Sequence, residues 1–384
     1  MTIDVFSQHF STIKDPRQLA KISYQLFDVL FLTICAVIAG CDGWEEIEDF
    51  GVSQSEWLNE KGLFLNGLPV HDTIARIVSS IEPTQLRYSF VRWMTSVSEM
   101  FDGEVIAIDG KALRSSYDRD DRKSAIHMVS AFATANGVVI GQVKTDVKSN
   151  EIKAIPELLN LLDIKGCLVT IDAMGCQKNI AQTIIDKKAD YLLALKSNQK
   201  NLHQAVCKEL KEAVSAPPNP KNAVIEKGHG RFEIREYHVM DAARISTQFP
   251  DWPGLKTIGV AISYRVIKGG KESLQYRYYI SSAQLDTEKF ANAVRAHWGI
   301  ENKLHWVLDT AMKEDASQIY RGNGPENLAC ARHIGLNMMR AEKTKKVSIP
   351  RKRRLAAMKT DYLDKILQAG FKAIDENKRS NTAK

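Results

Sequence analysis

Two apolar runs in this chain end in the same way. Val105-Ile106-Ala107-Ile108 runs into Asp109-Gly110-Lys111, and Leu168-Val169-Thr170-Ile171 runs into Asp172-Ala173. Four consecutive β-formers closed by a turn residue predict a strand buried on both faces. A charged side chain is seldom placed against an apolar strand without a partner or a metal. Each run therefore predicts an acid at the carboxyl end of a core strand, the end at which open α/β sheets bind ligands. For a single example, an ordinary surface or N-cap carboxylate is the favoured reading. The repetition is what constrains this chain: if the two strands are neighbours in one sheet, both acids emerge at the same edge.

Two carboxylates converging from different elements are hard oxygen ligands of the kind that Mg2+ requires. With a third acid they form the skeleton of a two-metal phosphoryl-transfer site. The third candidate is Glu301, on a helix that Asp286-Thr287 caps and that is expected to run through Phe290 to about Met312. At about 100° per residue, His297 and His305 fall about 40° to either side of Glu301 and Trp298 about 60° away, a face rich in polar and aromatic groups. Asp309, about 80° away, is the alternative third acid. A haloacid-dehalogenase type of phosphatase is excluded, because that chemistry needs a second aspartate two positions after Asp109 and the residue there is Lys111.

The surrounding pattern predicts an α/β chain in several parts. Residues 1–95 read as a helical N-terminal domain, open to DNA binding or to plain helical packing. Its signals are the apolar run Leu26–Ala39, the stop Gly40-Cys41-Asp42-Gly43, an N-cap candidate at Asp72 and a helix opened by Pro83. Residues 103–200 carry strands at Val105–Ile108, Ala125–Ala133 and Val138–Val143, with the hairpin signal Asn136-Gly137. Helix, strand, helix and strand follow, near 152–162, 167–171, 177–187 and 191–195. Pro217-Pro218-Asn219-Pro220 marks a break, and 201–285 reads as a β-rich insertion in which Lys268-Gly269-Gly270-Lys271 makes a turn. Residues 286–340 return to helix, and 341–384 form a basic helical tail.

The net charge of +7 is concentrated in that tail. From Arg340 to Lys384 there are fourteen Lys/Arg against five Asp/Glu, which leaves 39 against 41 over the rest. A basic segment on a near-neutral body points to a polyanion, most often nucleic acid; a solvated tail is the bland alternative. Six cysteines without C-x-x-C spacing read as reduced core residues of a cytoplasmic protein, and nine histidines form no H-E-x-x-H zinc motif. The longest apolar run is too short to span a bilayer, so no membrane association is expected.

Four ordered segments carry a resemblance. They are Ile108-Asp109-Gly110-Lys111, Asp172-Ala173-Met174-Gly175-Cys176-Gln177, Leu195-Lys196-Ser197-Asn198-Gln199, and His297-Trp298-Gly299-Ile300-Glu301-Asn302-Lys303-Leu304-His305-Trp306. With Asp15-Pro16-Arg17, Gly43-Trp44 and Pro69-Val70-His71-Asp72-Thr73 near the N-terminus, the chain resembles DDE insertion-sequence transposases, most of all the H-repeat-associated branch. The resemblance implies an RNase H-like mixed-sheet core with a β-rich insertion before the last catalytic helix. It also implies that Asp109, Asp172 and Glu301 are the catalytic, metal-binding acids, holding two Mg2+ ions, with Mn2+ as a substitute. Double-stranded DNA, as terminal inverted repeats and target, would be the partner, with a homodimer or higher oligomer in the synaptic complex. Relatives with a β insertion carry Tyr-x-x-Arg-x-x-x-Glu-x-x-x-x-x-x-Lys around the last acid; here those places hold Val294, His297, Glu301 and Leu308. The phosphate contacts of that motif would then fall to His297, His305 or Arg295. Lys111, Arg114, Lys196, Trp298 and the run Arg351-Lys352-Arg353-Arg354 are further candidate DNA contacts, and Gly228-His229-Gly230-Arg231 reads as a loop or a backbone contact. A stand-alone metal-dependent nuclease of the same fold and a catalytically silent DNA-binding protein are the competing readings.

Overall fold

The computed structural model describes residues 2–116, 125–145, 150–215, 223–228, 231–267 and 270–372. Six helices come first: α1 Thr2–Phe10, α2 Leu26–Ala39, α3 Trp44–Ser53, α4 Ser55–Glu60, α5 His71–Ser80 and α6 Pro83–Val97. Strands β1 Val105–Ala112, β2 His127–Ala133 and β3 Val138–Thr145 follow, then α7 Glu151–Leu161, β4 Leu168–Ile171, α8 Lys178–Asp186 and β5 Asp190–Leu195. Next are α9 Lys200–Glu209, α10 Lys211–Ser215, β6 Ala223–Gly228, β7 Arg231–Asp241, α11 Ala243–Gln248, β8 Thr257–Ile267 and β9 Lys271–Ser281. The chain closes with α12 Thr287–His297, α13 Trp306–Ala311, α14 Gly324–Ala341, α15 Ile349–Met358 and α16 Thr360–Gly370.

These elements form two compact units. The first comprises Met1–Glu99, Gly110–Asn150 and Glu301–Lys384. Its centre is α2, whose residues from Val29 to Ala39 are all buried, and α14, which is buried from Asn327 to Met339. A helix apolar on every side, as α2 is, buries all its faces, and each fully buried Leu or Ile contributes roughly 1.5–3 kcal/mol. The two helices pack closely because α14 presents Gly335 to α2: a Cβ there would stand 3.1 Å from Ile38. Gly40, at φ +112, ends α2 in the left-handed conformation that a side chain resists. The strand order in this unit is β3-β2-β1, β1 entering with Gly110–Ala112, and β2 and β3 pair antiparallel.

The second unit comprises Met100–Asp109 and Glu151–Ile300. Its strand order is β1-β4-β5-β9-β8-β7-β6. The β1–β4 and β4–β5 pairs are parallel, and every pair from β5–β9 outward is antiparallel. The strands of the expected insertion thus continue the core sheet through β9, which pairs with β5 from Leu192↔Ser281 to Leu195↔Tyr278. On this sheet α12 buries Phe290, Ala293 and Val294 among Leu168, Leu192, Tyr237, Ala261 and Tyr279. Gly259 makes room, since a Cβ there would meet the Phe290 ring at 2.8 Å. A three-strand meander followed by parallel strands, with a helix between β4 and β5, is the RNase H-like arrangement of a mixed α/β fold.

Three local expectations change. Asp72 is not an N-cap: α5 starts at His71, whose backbone N and Nδ1 both lie 2.7 Å from Glu48 Oε2. The helix expected to run to Met312 is interrupted by a π turn at Glu301–His305. The solvated tail given as the bland alternative for the basic segment does not hold through residue 372, where the expected helices form as α15 and α16 with buried faces. Pro217-Pro218-Asn219-Pro220, Lys268, Gly269, His229, Gly230 and residues 373–384 lie outside the described residues.

Candidate active site

Asp109 lies within β1 and Asp172 directly follows β4, in one register; the strand expected to close at Asp109 runs on to Ala112. Ile108 of β1 is the partner of Ile171 of β4, so the next residue on each strand is the acid. Parallel neighbours lie about 4.8 Å apart, which makes the two acids backbone neighbours at the edge where β4 ends. Asp172 is exposed, while its Oδ1 accepts hydrogen bonds from the backbone N–H groups of Met174 at 3.0 Å and Gly175 at 3.4 Å. Those bonds cap a short 3-10 turn at Ala173–Gly175 and fix the side chain without burying it. Gly175 is required there, because a Cβ would fall 2.3 Å from the Ile171 side chain.

The loop after β5 braces this edge. Asn198 Nδ2 donates to the Ala173 carbonyl at 2.7 Å, and Gln199 Nε2 donates to the Cys176 carbonyl at 3.0 Å. The motif Leu195–Gln199 thus works through its amides, a role that residue spacing alone did not reveal. Lys196, in the same loop, is exposed.

His297, a candidate phosphate contact, is engaged within the second unit. Its Nδ1 lies 3.1 Å from Thr170 Oγ1, and that hydroxyl donates to the Ile106 carbonyl at 3.4 Å. The ring is therefore a strut between α12 and β4. Burial lowers its pKa, with the Asp172 charge opposing, so the imidazole is neutral near pH 7. Trp298, one residue on, is 41% exposed, and the Arg277 guanidinium sits 4.7 Å from its ring centre. An exposed aromatic face beside a cation is a platform on which a base can stack. Arg295 forms a 2.6 Å ion pair with Glu226.

In the first unit several candidate DNA contacts are already engaged. Lys111 is 10% exposed, with Nζ 2.7 Å from Asp309, 3.0 Å from Glu314 and 2.8 Å from Asp315. Burial alone would lower its pKa, but Glu314 and the two aspartates outweigh it and hold the ammonium charged. Asp309, the alternative third acid, belongs to this cluster; burial raises its pKa and Lys111 opposes. Arg114 is exposed and lies 3.4 Å from Asp315. His305 is only 6% exposed, its pKa lowered to about 4 by burial and by Lys111. His305 is withdrawn from the surface, and the helical wheel failed here because a π turn advances by less than the 100° assumed. Glu301, which opens the turn, is exposed.

The run on α15 divides by face. Arg351 and Arg354 are exposed. Lys352 and Arg353, expected at a DNA surface, are instead buried and paired inside the first unit. Lys352 Nζ donates to the Met339 carbonyl at 2.8 Å and pairs with Glu342 at 3.1 Å. Arg353 donates to the carbonyls of Val37 and Ala311 and pairs with Asp42 at 3.0 Å.

The chain matches known families and relatives by sequence. The family described as "Transposase DDE domain" matches residues 100–338, and "DDE_Tnp_1-associated" matches residues 7–94. "Putative transposase YncI" of Escherichia coli O157:H7 is 52% identical over 96% of this chain and 95% of its own. "H repeat-associated putative transposase YhhI" of Escherichia coli strain K12 is 49% identical over 96% of this chain and 98% of its own. Among solved structures, the piggyBac transposase synaptic complex with hairpin DNA is similar at a TM-score of 0.43 and 13% identity, covering 100% of this chain and 84% of that one.

Proposed function

Because the chain belongs to the DDE transposase family, we propose that it binds the terminal inverted repeats of its element, cleaves DNA there and joins the ends to target DNA. The observation that supports the reading is the parallel register Ile108↔Ile171, which makes Asp109 and Asp172 the next residues on adjacent strands. Two hard-oxygen donors fixed this way fit a divalent cation, and Glu301 is the proposed third ligand. Bound there, Mg2+ or Mn2+ would activate the attacking hydroxyl and stabilise the leaving oxygen.

The chain's own residues set the stage. Met174 and Gly175 amides orient Asp172, Asn198 and Gln199 hold the loop that contains Gly175 and Cys176, and neutral His297 keeps α12 seated on β4. Lys196, Trp298, Arg351 and Arg354 are the exposed groups proposed to meet DNA, with Trp298 and Arg277 taking an unpaired base. The test is a cleavage and joining assay with Mg2+ on DNA carrying the flanking repeats. Joined product is expected with the ion and none in EDTA. Cleavage without joining would favour a stand-alone nuclease, and activity surviving EDTA would overturn the metal reading.

A further inference from the structure

We propose that Lys111 is a positioning residue: a fixed internal cation that fastens the end of β1, two residues beyond Asp109, to the stretch that follows Glu301. The proposal rests on the metal-site reading above. One ammonium, 10% exposed, is ringed by Asp309, Glu314 and Asp315 at 2.7–3.0 Å. Asp309 lies on α13, and the other two lie just past it. The turn that brings them back is strained, since Lys313 stands in the left-handed region at φ +48. A non-glycine residue persists there only where its surroundings over-determine it. The same stretch is stitched a second time: Ser115 Oγ donates to the Asp315 carbonyl at 2.6 Å, and Arg114 pairs with the Asp315 carboxylate.

This arrangement has two consequences. It fixes the segment leaving Asp109 to the helix entered from Glu301. It also engages three carboxylates, which would otherwise be free to compete with Asp109 and Asp172 for a divalent cation, on one ammonium. Lys111 is thus the cation of this cluster, and the cluster serves the metal site without binding the metal.

The experiment is a Mn2+ titration of the full-length protein without DNA, read by electron paramagnetic resonance of the free ion, paired with cleavage rates. Binding by the wild type that is lost in Asp109→Asn supports the site itself; a wild type that binds no Mn2+ overturns the site reading and this proposal with it. Asp309→Asn cuts the tie to α13 while Glu314 and Asp315 still neutralise Lys111, and Mn2+ affinity is expected to fall about tenfold. Asp315→Asn removes the same charge but keeps that tie, and affinity is expected to stay within about twofold of wild type. Equal losses in the two variants, or no loss in Asp309→Asn, would overturn the positioning role while leaving the site reading intact. Lys111→Met removes a positive charge, which by charge alone would favour cation binding. Positioning requires instead that cleavage at saturating Mn2+ slow about tenfold with DNA affinity unchanged; a wild-type rate would overturn it. Should that variant fail to fold, the two asparagine variants still decide the matter.

Discussion

At the scale of the residue, the chain separates similar side chains by what each one touches. Arg351 and Arg353 are two positions apart, yet one is exposed and the other holds Val37, Ala311 and Asp42 inside the first unit. Arg353→Ala would leave Asp42 without a buried partner and should cost about 3–5 kcal/mol, read by chemical denaturation. Surface substitutions at Arg351 and Arg354 should stay within about 0.5 kcal/mol. The buried histidines give the fold a pH dependence. Burial lowers His305 to about 4 and His333 to about 3 from the ordinary 6.5. The unfolded chain therefore binds protons first, and the stability that the neutral rings contribute above pH 6.5 is lost as pH falls from there toward about 3. Melting temperatures measured from about pH 7.5 down to 5 should fall, and His333→Phe should flatten the slope. Parallel curves for wild type and variant would refute the assignment.

At the scale of the element, what was legible had a local cause. Asp286 caps α12 through the Lys289 amide at 2.7 Å, Pro83 opens α6, and Asn136-Gly137 turns β2 into β3, all signals confined to a few neighbouring residues. The strands that carry Asp109 and lead to Asp172 were legible for the same reason, although only β4 stops with its apolar run while β1 continues to Ala112. The Lys111 cluster was not, because its partners are about 200 positions away and no local pattern encodes them. The π turn was missed because a 100° wheel assumes the geometry it is meant to find. Strand β6 was missed because Ala223–Gly228 has too short an apolar run to stand out. The seating of α12 makes its own prediction. Gly259→Val would drive a side chain into the Phe290 ring and should destabilise the protein by about 1–3 kcal/mol, with cleavage reduced alongside. On α15, Arg351→Ala with Arg354→Ala should lower the slope of log Kd against log salt by about 2 at unchanged melting temperature. An unchanged slope would remove α15 from the DNA interface.

At the scale of the whole molecule, family membership and strand register meet in two residues. The family match covers both strand ends and the helix that leads to Glu301, while the register makes Asp109 and Asp172 neighbours. The helical N-terminal elements and α14–α16 pack into one unit although more than 200 residues separate them in sequence, which no local pattern could show. The measurement that bears most directly on the central claim compares wild type with Asp109→Asn, Asp172→Asn and Glu301→Gln, each checked for an unchanged melting temperature, in Mg2+-dependent cleavage of DNA carrying the element ends. The expected result is cleavage by the wild type and none above the metal-free background for any of the three. A folded Asp109→Asn or Asp172→Asn protein that cleaves at the wild-type rate would contradict it.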